Sequence, residues 1–100
     1  MEIKILKEES DIIAYIKGRV DTATAPELEN QISPLYSENG TMLILDCANM
    51  EYISSSGLRV ILTAHKQLIA NGGKFKIRHL LPEVRTIFDM TGFSRILTIE

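Results

Sequence analysis

The chain has 100 residues, of which 45% are hydrophobic and 24% charged, enough for one core and too few for two, so residues 1–100 are read as a single domain. A net charge of −2 supplies no basic field for nucleic acid, and no apolar stretch approaches the ~20 residues of a membrane span. The charged start Met1-Glu2-Ile3-Lys4 carries no apolar signal core, and the single Cys47 cannot form an internal disulfide and reads as a small buried hydrophobe, so a soluble cytoplasmic protein is expected.

Ile3 and Ile5 alternate with Glu2 and Lys4, the period of a half-buried strand, and the polar Glu8 to Asp11 supply a turn. Ile12 to Lys17 form the second strand of a hairpin, with Gly18 marking its end or a bulge before Arg19 and Val20. A helix then starts between Asp21 and Glu29, where Thr24 can cap, Pro26 suits the first turn, and Glu27 and Glu29 suit the positive end. Leu28, Ile32 and Leu35 are its apolar stripe. Pro34 ends or kinks it near Ser33, with a last turn to Tyr36, and Asn39-Gly40 closes the segment.

The unbroken apolar run Met42 to Leu45 predicts a central strand covered on both faces, ended by Asp46. A connection from Cys47 to Ile53 leads to Ser54-Ser55-Ser56-Gly57. Beyond it Leu58, Ile61, Leu62, Leu68 and Ile69 fall at helical spacing, and Asn71-Gly72-Gly73 stops that helix. Phe75 and Ile77 alternate with Lys74, Lys76 and Arg78 as a strand with one solvated face. Pro82 opens a short helix with Val84, Ile87 and Phe88 inward, ending at Thr91-Gly92, and Ile96, Leu97 and Ile99 make a last strand. The order β-β-α-β-α-β-α-β predicts an α/β fold, a mixed sheet packed against helices with right-handed parallel crossovers and a hairpin at one side.

The serine run is the place where chemistry concentrates. A helix start leaves backbone N–H groups unpaired and carries partial positive charge, so it welcomes an anion: a bound ligand, an oxyanion, or a phosphate on a serine. A hydrolytic elbow fits poorly, because it needs glycine two residues before the serine as well as two after, and Ser54 and Leu58 occupy those positions around Ser56. The base is also missing. His65 lies nine residues further on the same helix, about 13 Å away along its axis, and reads as a core or half-buried histidine.

His79 has no partner at metal-ligand spacing and reads as a loop residue, and Gly72-Gly73-Lys74 lies at the wrong helix end for a phosphate cradle. No metal or cofactor site is expected. Asp21 and Asp46 are isolated acids with solvated or capping roles, although Asp21 reaches the serines if the second strand lies beside the central one. On these grounds the serines keep two readings: Ser54 or Ser55 caps the helix and the others are solvated, or one of the three receives a phosphate.

Leu45-Asp46 followed by Tyr52-Ile53-Ser54-Ser55-Ser56-Gly57-Leu58, with Gly18-Arg19-Val20-Asp21-Thr22 before and Gly72-Gly73 and Ile87-Phe88-Asp89-Met90-Thr91-Gly92-Phe93 after, resembles the STAS domain of bacterial anti-sigma factor antagonists. The similarity spans nearly the whole chain. It implies a non-enzymatic partner-switching protein: the unphosphorylated form binds a serine kinase that is also the anti-sigma factor and frees the sigma factor, phosphorylation on the serine before the glycine ends binding, and a PP2C-type phosphatase reverses it. By position that serine is Ser56, and the ATP belongs to the partner.

The resemblance also implies a partner-binding face of Asp21, Ser54, Ser55, Gly57, Leu58 and Arg59. Family members often carry an acid two residues before the phosphorylated serine, where this chain has Ser54. Two other readings compete: a STAS accessory subunit of a transporter, lipid-trafficking complex or other phosphorelay, and a small serine hydrolase.

Overall fold

The structure is a computed structural model and describes residues 1–38 and 40–100; the expected turn residue Asn39 lies outside the described residues. Its elements are β1 (Glu2–Glu8), β2 (Asp11–Val20), α1 (Ala25–Ile32), β3 (Met42–Ile53), α2 (Ser55–Ala70), β4 (Lys74–Arg78) and α3 (Pro82–Met90), with single 3-10 turns at Ser33–Leu35 and Phe93–Arg95. The four strands lie in the order β1-β2-β3-β4. β1 and β2 form the expected antiparallel hairpin, while β3 pairs parallel with both β2 and β4.

Two parallel crossovers that advance in one direction across a sheet, both right-handed, put α1 and α2 on the same face. Leu28 of α1, Ile61 and Leu68 of α2 and Val84 and Phe88 of α3 accordingly join one cluster with Ile12, Ala14, Ile16, Leu43, Leu45, Phe75 and Ile77. Each large side chain fully removed from water here contributes on the order of 1.5–3 kcal/mol. Ile13 and Ile44, from the alternate strand positions, are buried but stand outside that cluster. The expected two-sided cover of the central strand is therefore a helix layer on one face and, on the other, in-sheet neighbours: Ile44 sits between Ile13 and Lys76.

Strand β3 runs on to Ile53 instead of ending at Asp46. Register shifts opposite Tyr15/Lys17 and Gly18/Arg19 let its pairing with β2 continue through the polar stretch, as bulges do by accommodating an extra residue. Gly18, at φ 94°, supplies the bulge rather than the strand end. Asp46 is neither solvated nor a cap: it is only 5% exposed, accepting from Arg78 Nε at 2.9 Å, lying 3.0 Å from His79 Nδ1 and accepting from the Ala48 amide at 3.1 Å. Burial pushes its carboxyl up, but the Ala48 amide, Arg78 and His79 outweigh that and hold it below the ordinary carboxylate value. A strand tolerates a carboxylate when the neighbouring strand neutralises it.

Helix α1 ends at Ile32, and a 3-10 turn containing Pro34 follows it. The buried stripe of α2 is Gly57, Leu58, Val60, Ile61, Ala64 and Leu68, whereas Leu62 is half-buried and Ile69 is 52% exposed. Its inward face is thus centred on Ile61, Ala64 and Leu68, with small residues that a search for large hydrophobes passes over. His65 is half-buried with its ring edge-on to Phe75 at 6.1 Å, and Cys47 is buried with its thiol pushed up to about 12 by burial.

The expected last strand is reduced to one parallel bridge, Ile77 to Ile99. The 3-10 turn takes up Phe93–Arg95, Leu97 turns into the core and Ile96 points outward. Too few residues then remain for a ladder.

Candidate functional site

The C-terminal ends of β2 and β3 lie side by side, with Val20 opposite Ile53, and the Ser54 amide donates to the Val20 carbonyl at 2.8 Å. The conditional placement of Asp21 next to the serines is met by this pairing. Crevices outside the carboxyl ends of parallel strands are where α/β sheets put their functional groups, since two loops and two helix starts converge there.

Ser54 is the N-cap of α2, in an extended conformation, and its hydroxyl accepts from the Gly57 amide at 3.2 Å while its carbonyl accepts from the Leu58 amide at 2.9 Å. Of the two capping candidates the structure selects Ser54. Ser55 is exposed and Ser56 half-buried. Gly57 is buried because nothing larger fits: a Cβ there would lie 2.7 Å from both Ile53 Cγ1 and Val20 Cγ1. This glycine lets the first turn of α2 rest directly on the ends of β2 and β3.

Thr24 occupies the N-cap position of α1 without making a side-chain cap; the expected capping role passes to Asp21. One Asp21 carboxylate oxygen accepts from the Ala23 and Thr24 amides, both at 3.0 Å, and the Asp21 carbonyl accepts from the Ala25 amide at 2.8 Å. The Thr24 hydroxyl accepts from the Asp21 amide and lies within donating distance of the Arg19 carbonyl, both 2.9 Å. The Thr24 amide is the chief cause that holds the Asp21 carboxyl below its ordinary value, with the Thr24 hydroxyl, the Ala23 amide and Arg19 adding to it against the opposing effect of burial.

Between α1 and α2 runs a groove of about 290 Å³ lined by Thr22, Ala25, Pro26, Glu29, Ser56, Arg59, Val60 and Thr63. Ser56, Arg59, Val60 and Thr63 recur at i, i+3, i+4 and i+7, one stripe of a helix. That stripe is the signal from which the α2 wall was readable. The α1 wall came only from packing. Arg59 is exposed and, among the described residues, has no carboxylate within ion-pair distance.

Of the residues expected on the binding face, Asp21 and Ser54 directly follow the paired strand ends Val20 and Ile53, Ser55 is exposed beside them, and Arg59 lines the groove together with Ser56, the expected phosphorylation site. Leu58 does not reach its surface: at 3% exposure it belongs to the core and supports the face from beneath, as does Gly57. Arg19 and Tyr52, missed in the sequence, sit beside the junction as cross-strand neighbours, with the guanidinium carbon 4.3 Å from the Tyr52 ring centroid.

No histidine serves the serines: His65 is further along α2 and turned to Phe75, and His79 is tied to Asp46. A serine nucleophile here has no histidine base to activate it.

This α/β layer with a serine-bearing helix start defines a binding domain. The chain belongs to the STAS domain family, whose profile matches residues 2–100, and as such is a regulatory binding module and not an enzyme. It is 33% identical over 99 residues to BtrV of Bordetella bronchiseptica, named as a candidate anti-sigma factor antagonist, covering 99% of this chain and 85% of that protein. It is 30% identical over 100 residues to the anti-sigma-B factor antagonist of Bacillus subtilis, covering 100% of this chain and 91% of the relative. The anti-sigma factor antagonist SpoIIAA in its unphosphorylated form superposes with a TM-score of 0.82 at 17% identity, over 99% of this chain and 88% of that one, which bears on the fold alone. No helix among the described residues is long and apolar enough to cross a membrane.

Proposed function

We propose that this chain is an anti-sigma factor antagonist that works by partner switching. Its unphosphorylated form binds a serine kinase acting as anti-sigma factor and so releases the sigma factor. The kinase then modifies Ser56: the bond between the γ-phosphorus of ATP and the β–γ bridging oxygen breaks, ADP leaves with that electron pair, the Ser56 Oγ–P bond forms, and the hydroxyl proton passes to a base on the kinase. A PP2C-type phosphatase hydrolyses the product and restores binding. This activity belongs in the cytoplasm.

The observation that carries this reading is the division of labour among the three serines. Ser54 is held by the Gly57 amide and Ser55 stands on the exposed rim, whereas Ser56, directly before the glycine, lines the groove between α1 and α2. A phosphate there adds about two negative charges to the surface a partner would cover, and like charge or a desolvated phosphate in an interface costs several kcal/mol.

The test is intact-mass and peptide mapping after incubation with a serine kinase of the anti-sigma factor class from the same organism and ATP, alongside pull-down of that kinase by the wild type, Ser56→Ala and Ser56→Glu. A single phosphate on Ser56, retained binding by Ser56→Ala and lost binding by Ser56→Glu are expected. Unmodified Ser56 together with equal binding by all three would refute the switch.

A further inference from the structure

The groove holds one cation and one anion on opposite walls, Arg59 on α2 and Glu29 on α1. Glu29 is exposed, as is Arg59, and neither has an ion-pair partner among the described residues. Arg59 follows Ser56 by three positions on α2, and side chains so spaced on a helix are neighbours, with Cβ atoms about 5–6 Å apart. A guanidinium at that distance can turn onto a phosphoryl group with two parallel N–H donors.

We infer that Arg59 is an internal clamp for the phosphoryl group on Ser56, folding it along the α2 wall of the groove and away from Glu29. This rests on the reading of Ser56 as the acceptor and adds to it the form in which the phosphate is presented. Phosphorylation takes the groove from electrically balanced to about two negative charges in excess. With Arg59 engaged by its own chain, the site also loses the one cation that an acidic group of a partner could meet there. Release of the partner then has two parts, an added dianion and a withdrawn arginine. Glu29 sets the direction, since it repels the phosphate from α1 and leaves α2 the favourable wall.

The clamp can be tested without a kinase by installing phosphoserine genetically at position 56 of the full chain and following the 31P resonance through its second ionisation. An opposite charge in contact favours the dianion. With Arg59 present the midpoint is expected to lie at least about half a pH unit, roughly threefold in proton affinity, below that of the same phosphoprotein carrying Arg59→Gln, with Arg59→Lys between them. Glu29→Gln should lower the midpoint further.

Phosphoserine placed instead at position 55 should shift less on Arg59→Gln, and amide NMR spectra report that each variant remains folded. Equal midpoints for the phosphoserine at position 56 in the folded wild-type background and in the folded Arg59→Gln variant overturn the clamp. That outcome leaves the kinase assay on Ser56 unaffected, whereas an unmodified Ser56 in the kinase assay defeats the functional reading and leaves the titration result standing.

Discussion

The two parallel crossovers leave the sheet at neighbouring points, yet they start their helices in different ways. At the β2-to-α1 junction the Asp21 carboxylate, the Asp21 carbonyl and the Thr24 hydroxyl engage one another and the amides of Ala23, Thr24 and Ala25 within five residues. At the β3-to-α2 junction the Ser54 hydroxyl holds the Gly57 amide at 3.2 Å, the Ser54 backbone donates to the Val20 carbonyl and accepts from the Leu58 amide, and Gly57 adds close packing against the strand ends. The first junction is closed on itself. Among the described residues the second leaves the Ser55 and Ser56 hydroxyls outside its hydrogen bonds, and it rests on the strands beneath it.

Gly57→Val strikes hardest at this contrast, since its side chain would enter space held by Val20 and Ile53. Overpacking against two buried β-branched side chains should cost about 3 kcal/mol, read by chemical denaturation, while Gly57→Ala should lose less. A Gly57→Val protein as stable as the wild type would show that α2 can lift off the sheet, and that the second junction is not held by packing.

Next comes Asp21→Ala, which opens the bond set of the first junction and should lower the thermal midpoint more than Ser54→Ala does at the second. Ser54→Ala removes a single cap and is expected to cost about 1 kcal/mol. Ser54→Asp should retain the cap and gain a few tenths of a kcal/mol from a negative charge at the helix start. If the two alanine variants rank the other way, the hydrogen bonds around Asp21 are not what fixes α1.

Acid distinguishes the junctions more gently. Because the Asp21 carboxyl titrates below its ordinary value in the folded chain, its stabilising contribution is complete above the unfolded-state pKa of about 3.9 and fades as pH falls through the lower native value. The Ala23 and Thr24 amide resonances should therefore move together below about pH 4, while the Gly57 amide, bonded to an uncharged hydroxyl, stays in place. Nuclear magnetic resonance titration checks this. The smallest change is Ser56→Ala, expected to alter folding stability by less than about 0.5 kcal/mol, so any effect it has on partner release is not a folding effect.

The elements and their order were largely legible because strand alternation, helix punctuation by Pro26, Pro82, Gly72 and Gly92, and the apolar run at Met42 each follow from local backbone chemistry. The places where pattern misleads share a cause. Asp46 reads as a strand end because a lone carboxylate is costly in a sheet, and the local Ala48 amide needs Arg78 and His79, 32 and 33 residues away, beside it to make the carboxylate tolerable. Ile69 fits the helical period but lies off the buried stripe of Ile61, Ala64 and Leu68 and is exposed, and Leu58 fits the motif while facing inward. The final strand has the composition of one, yet a 3-10 turn leaves it a single bridge.

Composition and pattern alone determined an α/β fold with a helix starting at the serines, and it is the family resemblance, not the pattern, that points to Ser56 among the three. Which serine commits its hydroxyl to the cap, whether Asp21 stands beside the others, and what faces Ser56 across the groove were decided by the parallel pairing of β2 with β3 and the packing of α1 against α2. Those contacts join residues distant in the chain, and local propensity carries no information about which distant surface a side chain will meet.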